Sequence, residues 1–481
     1  MAKARVVRTC LAAQSTDIHE LKGHVLHMSG SGGSSSEDFS TPSTAAHGIV
    51  GRIYGNLGKL MGGKAIAGLM SLAYMVIALR GLGVHYYGIL ILVHAFTITV
   101  GGIIEFPGWH AVVRYGAQAA EARDKPRLVR LLRFAASVEL IAGGLAVLTA
   151  AVLAPVIGAR LGWSQTAIDF AVPYSLATLA TIRATPAGYL QLMGRFDLLG
   201  IHNLVAPAVR LVGAVIAFAL GAGLVGFLIA WLLAALAEWA SMWLFGLMIA
   251  RRQLAGVRML GSPRGAIEEN EGIRAFMIAA NADITFGELA SRIAPLAVGW
   301  VLGPAAAGIY AVAQRFTTVI AQPAGNLGQA SYAELARMIA AGGHHAEVRR
   351  TLLKLVAIAM AAAVPLLIIV ALFGGPLALL IGGAEIGAAG GVMMWLAAAR
   401  TILLVAPPAS AALVALGRPA LSVWGNVASS LIMLPLLPLL MIRFGLIGAG
   451  YYALVQAIVA AVLLAGLVWR ASGGSHHSIA S

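Results

Sequence analysis

The chain of 481 residues is 60% hydrophobic and only 11% charged, with a mean hydropathy of +0.87. A soluble domain is roughly half apolar and about a quarter charged, so this composition excludes one and marks an integral membrane protein. The net charge of +14 is confined to short clusters between apolar runs, which reads as membrane orientation and not as nucleic-acid binding. One cysteine, Cys10, excludes a disulfide framework and a Cys-based metal cluster. The sequence also lacks a phosphate-binding loop, an HExxH helix and an Asp-x-Asp pair, so no cofactor or metal is expected and no catalytic residue stands out.

Residues 1–50 carry a Gly/Ser tract from Ser29 to Ser36, and their longest apolar run, Cys10 to Ala13, is too short for a signal-peptide core. A disordered cytoplasmic arm is expected there. Twelve apolar runs follow, each long enough for the roughly 20-residue helix that crosses a bilayer. They lie at about 60–80, 88–106, 132–158, 167–192, 200–220, 224–249, 274–302, 305–331, 352–373, 386–416, 420–442 and 446–469. With the N-terminus inside, the inner connections hold seventeen Lys and Arg residues and the outer ones only Arg80, Arg160 and Arg443. Positive charge accumulates on the cytoplasmic side, so both termini are expected in the cytoplasm. The inner cluster at 121–133 is a topology signal that also suits anionic lipid headgroups.

An internal repeat divides the chain. Leu82-Gly83-x4-Gly88-Ile89 recurs as Leu302-Gly303-x4-Gly308-Ile309 at an offset of 220, Gly194-Arg195 with Asn203 recurs as Gly417-Arg418 with Asn426 at 223, and Gly223-Leu224-Val225-Gly226 recurs as Gly445-Leu446-Ile447-Gly448 at 222. The expected fold is therefore all-α, with two six-helix bundles around a central cavity: residues 51–250, a cytoplasmic linker at 251–273, residues 274–470, and a short tail at 471–481. Because six is even, equivalent helices run the same way and the halves are related by an axis along the membrane normal.

At these motifs the sequence resembles the polysaccharide or oligosaccharide-lipid flippases of the multidrug/oligosaccharidyl-lipid/polysaccharide exporter superfamily. The resemblance rests on Arg80 with Leu82-Gly83-x3-Tyr87-Gly88, Val113-Arg114-Tyr115, Gly194-Arg195-Phe196, Leu302-Gly303-x4-Gly308-Ile309-Tyr310-x2-Ala313, Leu416-Gly417-Arg418-Pro419 and Phe444-Gly445-Leu446-Ile447-Gly448-Ala449. It covers roughly residues 50–470. It implies alternating access in a bacterial inner membrane, with a polyprenyl-pyrophosphate-linked glycan as cargo, and polysaccharide assembly proteins and membrane lipids as partners. One position departs from the pattern: two residues after Arg292, where the family often has an acid, stands Ala294.

Charges inside spanning helices are costly and mark cavities or partners. Arg292 lies 11 residues before Gly303 and Arg315 lies 12 after it, which places both roughly 16–18 Å from the outer surface, near the midplane. Arg210 reaches a similar depth in the other half, while Arg183 and Arg400 lie closer to the cytoplasm. Arg315, Thr318, Gln322, Asn326 and Gln329 share one helical face, as do Asn281, Thr285, Glu288 and Arg292. Both stripes are expected to line the cavity. These five arginines stand against three intramembrane carboxylates, Glu238, Asp283 and Glu288. The surplus suits a diphosphate, because the guanidinium stays charged and matches phosphate oxygens with a planar fork. The carboxylates are candidates for a coupling proton or sodium ion. The bland alternative is that the arginines neutralise these acids and pin helices together. Two functional rivals remain: an ion-coupled multidrug antiporter of the same superfamily, and a membrane-embedded polymerase or acyltransferase, for which His85, His94 and His110 are too scattered.

Overall fold

The computed structural model describes residues 43–106, 108–318, 345–387, 389–416 and 418–472. Among them the regular structure is helical throughout. Helix α1 (Ser43–Ile104) starts within the stretch expected to be disordered and is broken at Gly83, whose φ of 70° and ψ of 169° leave the helical region. Beyond α2 (Trp109–Glu121), α3 (Lys125–Arg160) is opened by Asp124, whose side chain accepts the Arg127 amide. Ser164 caps α4 (Gln165–Tyr174) in the same way. A 3-10 turn (Ser175–Thr181) and α5 (Ala184–Leu192) complete one apolar run, and α6 (Phe196–Ala219) and α7 (Gly223–Gln253) follow. In the second part come α8 (Ile273–Leu302), α9 (304–318), α10 (His345–Gly382), α11 (Ala389–Leu403), α12 (Ala406–Ala415), α13 (Pro419–Met433), α14 (Leu436–Phe444) and α15 (Leu446–Ala471).

Among the described residues seven segments are long and apolar enough to cross a membrane, namely α1, α3, α6, α7, α10, α15 and the run of α11 into α12, or eight if α13 and α14, bent by 42°, form one span. The twelve runs of the sequence are distributed differently over these helices. Helix α1 contains two runs on either side of Gly83. The run at 167–192 is split into α4, the 3-10 turn and α5, and that at 305–331 passes out of the described residues after 318. Along α3, Ile141, Leu145, Leu148, Val152 and Val156 are all exposed at helical spacing, as are Ile368, Ile369 and Leu372 on α10. An exposed apolar face of this length belongs against acyl chains.

The repeat glycines adopt matched conformations. Gly83 and Gly303 share a positive φ, 70° and 86°, with ψ near 170°, and the other repeated pair, Gly88 and Gly308, meet each other: a Cβ on Gly308 would lie 2.8 Å from the Val84 carbonyl and 3.2 Å from the Gly88 Cα. One apolar core runs through this crossing, from Leu79, Tyr87 and Leu90 on α1 to Ala307 and Tyr310 on α9 and Met393 and Leu396 on α11. At the same end Arg80 donates to the Leu380 carbonyl of α10 at 3.4 Å. Toward the opposite end a second core joins α2, α3, α5 and α7 to Ile273 and Met277 of α8.

Candidate transport site

One guanidinium is enclosed by α1, α6 and α7. Arg210 of α6 donates to His94 Nε2 of α1 at 3.1 Å and makes a long contact with the Tyr74 hydroxyl at 3.5 Å. Its guanidinium stacks over the Tyr74 and Trp231 rings, 5.9 and 5.8 Å from their centroids. A guanidinium only donates, so His94 Nε2 is the acceptor. Its proton therefore resides on Nδ1, which meets the Tyr174 hydroxyl at 2.9 Å. The Arg210 Nε is buried without a hydrogen-bond partner. Tyr74 also lies within the electrostatic reach of Arg315 on α9.

Arg292 occupies the seam between the parts. It donates to the Ile98 carbonyl of α1 at 3.3 Å, and Thr99 donates to the Arg292 carbonyl. A Cβ added at Gly102 would overlap its guanidinium. On the same helix Asn281 donates to the Glu105 carbonyl at 2.7 Å and Thr285 donates to Asn281. The polar stripe of α8, expected to line open space, thus bonds through Arg292 to the backbone of α1 and through Asn281 to the residue just after it. The side chains of its Asp283 and Glu288 lie outside the described residues, as do Gln322 and Asn326 of the other stripe. Arg400 of α11 is half-buried within reach of Tyr310 on α9.

Arg183 stands at a break with a complete local explanation. Pro186 lacks an amide and its ring excludes the carbonyl four residues earlier, at Ile182, from the helix ladder. That carbonyl accepts the Trp243 indole N–H at 2.8 Å. The amides freed at the start of α5, from Ala184 and Thr185, are both accepted by the Glu139 carboxylate of α3, the latter at 2.8 Å. Glu139 is 1% exposed and escaped the sequence reading, which counted Glu238, Asp283 and Glu288 alone. Arg183 itself pairs with Glu238 of α7 and donates to His202 Nε2 of α6 at 3.2 Å. His202 Nδ1 meets Ser241 at 3.0 Å, and Ser241 donates to the Glu238 carbonyl. Thr178 and Thr181, just before Arg183, pack on Gly101, so this break and Arg292 touch the same turn of α1.

The linker is not a loose tether. Arg127, Arg130 and Arg133, spaced one turn apart on α3, bond respectively to Asn270, to Glu269 and to the Met259 and Arg258 carbonyls. Tyr115 of α2 donates to the Glu271 carbonyl at 3.1 Å. Nearby, Asp197 pairs with Arg195 at 2.7 Å and raises that guanidinium above its ordinary range.

Over residues 113–385 the sequence matches the family described as "Polysaccharide biosynthesis protein". The chain belongs to this family. It is 26% identical over 294 residues to Inner membrane protein YghQ of Escherichia coli (strain K12), covering 61% of this chain and 82% of that one. Among solved structures it resembles the inward-facing conformation of a multidrug resistance MATE family transporter of the MOP superfamily, with a TM-score of 0.62 at 16% identity over 85% of this chain and 96% of the other. It also resembles the Vibrio cholerae MATE transporter VcmN in its bent form, with a TM-score of 0.54 at 18% identity over 89% and 97% of the two chains. At such identities the likeness establishes the fold alone. The protein is a member of the polysaccharide-biosynthesis family, with several helices long and apolar enough to cross a membrane and the fold of the MOP-superfamily transporters.

Proposed function

We propose that the chain flips a polyprenyl-diphosphate-linked saccharide from the inner to the outer leaflet by alternating access, with no catalytic residue of its own. Residues 51–250 and 274–470 are the moving halves, 251–273 joins them on the cytoplasmic side, and both termini are cytoplasmic. The diphosphate is held by Arg210, Arg292 and Arg315, with Arg183 and Arg400 nearer the cytoplasm and Gln322 and Asn326 on the sugar, while the polyprenyl tail stays in lipid. The observation that carries this reading is a guanidinium enclosed inside the protein, Arg210, whose hydrogen bonds go to neutral groups, His94 and Tyr74, with Arg315 of α9 within electrostatic reach of the same phenol. Family membership supports a saccharide cargo.

The fold likeness to multidrug transporters favours a second reading, an ion-coupled drug antiporter. Such a protein needs acids to hold cationic drugs, whereas the arginine surplus favours an anion. Deletion of the gene separates the two: loss of a surface glycan with unchanged drug tolerance supports the flippase, and drug sensitivity with an intact glycan overturns it. Arg315→Ala should abolish glycan export at normal protein abundance, and retained export removes Arg315 from the site.

A further inference from the structure

We infer that α7, where it runs into the linker, carries a binding site for an anionic phospholipid, with the phosphodiester held by Arg251 and Arg252 and the acyl chains laid along the apolar rows that lead up to them. The site is on the outer surface of the helix bundle and is independent of the cargo. Leu233, Ala240, Leu244 and Leu247 are exposed on α7 at helical spacing, and the next position of that row is Arg251. Phe245 and Met248 form the neighbouring row, which ends in Arg252. From Leu244 onward the two rows line a recess of about 390 Å³ that takes in both arginines. Leu244 and Leu247 stand 21 and 24 residues after Gly223, the first residue of α7, or roughly 32–36 Å along its axis, and the two arginines stand at roughly 42–44 Å. In a bilayer of ~40–45 Å with a hydrocarbon core of ~30 Å, those heights put the leucines at the edge of the acyl region and the guanidiniums among the headgroups.

Charge decides what occupies the recess. Both arginines are exposed, and among the described residues neither guanidinium makes an ion pair or a hydrogen bond. The sequence holds no acid between Glu238 and Glu268, a stretch with four arginines. A helix C-terminus carries about half a negative charge, which two guanidiniums outweigh. The recess is therefore electropositive, and a phosphate accepts from both planar forks. A zwitterionic headgroup brings an ammonium that the same pair repels, so the site favours lipids of net negative charge. Arg127, Arg130 and Arg133, within the cluster that the sequence also offers to headgroups, are turned instead to residues 258–270. A phospholipid meets the α7 pair more readily than free phosphate does. Its chains lie along Leu244 and Leu247, 63% and 40% exposed, and hold the headgroup at the height of the arginines.

The test is native mass spectrometry of the delipidated full-length protein in detergent, titrated with palmitoyl-oleoyl phosphatidylglycerol and, separately, with phosphatidylethanolamine of the same chains. The first phosphatidylglycerol should bind about tenfold more tightly than the first phosphatidylethanolamine, the scale that one or two basic side chains give at a lipid surface. Arg251→Gln with Arg252→Gln should abolish that preference. Arg258→Gln with Arg264→Gln, which removes the same charge from exposed positions of the linker, should keep it. An excess of inorganic phosphate should leave the bound lipid in place. Equal binding of the two lipids, a preference that survives the α7 substitutions, or one lost equally with the linker arginines overturns the site. Displacement of the lipid by inorganic phosphate overturns the lipid as its occupant. Should the α7 double variant fail to fold, the single substitutions Arg251→Gln and Arg252→Gln decide in its place: each should cut the preference to about threefold, and an undiminished preference in both overturns the site.

Discussion

Removing the Glu139 carboxylate leaves the amides of Ala184 and Thr185 without acceptors at the start of α5, at about 1–3 kcal/mol for each buried group left unsatisfied. Glu139→Ala should therefore lower the thermal unfolding midpoint of the detergent-solubilised protein by several degrees, whereas Glu139→Gln, which keeps one acceptor oxygen, should lose less; equal midpoints for all three proteins would show that the carboxylate does not hold the break. Arg183 was legible in the sequence as a charge inside a span, but its partners were not. Helical spacing relates residues on one helix, whereas Glu139 answers backbone amides 45 and 46 positions away and Trp243 answers a carbonyl 61 positions away. Only Pro186 signalled the break, and a membrane proline does not by itself say which side chains meet the groups it frees. Arg210 was legible as a charge inside an apolar run, yet the aromatic and imidazole walls around it come from α1 and α7, which no linear pattern connects to it.

At the scale of elements, the apolar runs map onto helices because ~20 apolar residues in sequence need no long-range information. The breaks inside them arise from tertiary contacts that hydropathy does not record. The arginines of 121–133, read as topology signals, have a second use that depends on three-dimensional neighbours: they clamp residues 258–270 along α3. The Arg130–Glu269 pair is about one-third exposed on both sides and contributes little alone. Arg127 reaches Asn270, which is 1% exposed, and Arg133 covers two carbonyls, so the pair at the ends of the clamp matters more. The double substitution Arg127→Ala with Arg133→Ala should release the linker backbone, so that the already exposed Arg258 and Arg264 fit the extended conformation trypsin cleaves. Limited proteolysis is expected to cut the variant within this segment several times faster than the parent, and an unchanged rate would mean that apolar contacts from Val257, Met259 and Ile267 suffice to dock it.

For the whole molecule, what matters is that the two parts meet through backbone at Gly88 and Gly308. A Cβ on Gly88 would overlap the Pro304 carbonyl, and one on Gly308 would press on Val84 and Gly88, so neither position accepts a side chain while the seam is shut. Around the crossing, Ala307 and Ala313 are 0% exposed within a core shared by α1, α9 and α11. If alternating access operates, this end must open and reseal, and burial of such a core supplies the driving force for resealing. Gly88→Val is predicted to hold the end open without unfolding the helices on either side, because the contacts within each side of the seam remain. The readout is maleimide labelling of Ala307→Cys in a Cys10→Ser background, which removes the native thiol. Ala307→Cys alone should label slowly, and the addition of Gly88→Val should speed labelling by an order of magnitude or more while glycan export is lost. Slow labelling in both proteins would mean that the valine is absorbed by local adjustment of α9, and that the glycine contact does not govern closure.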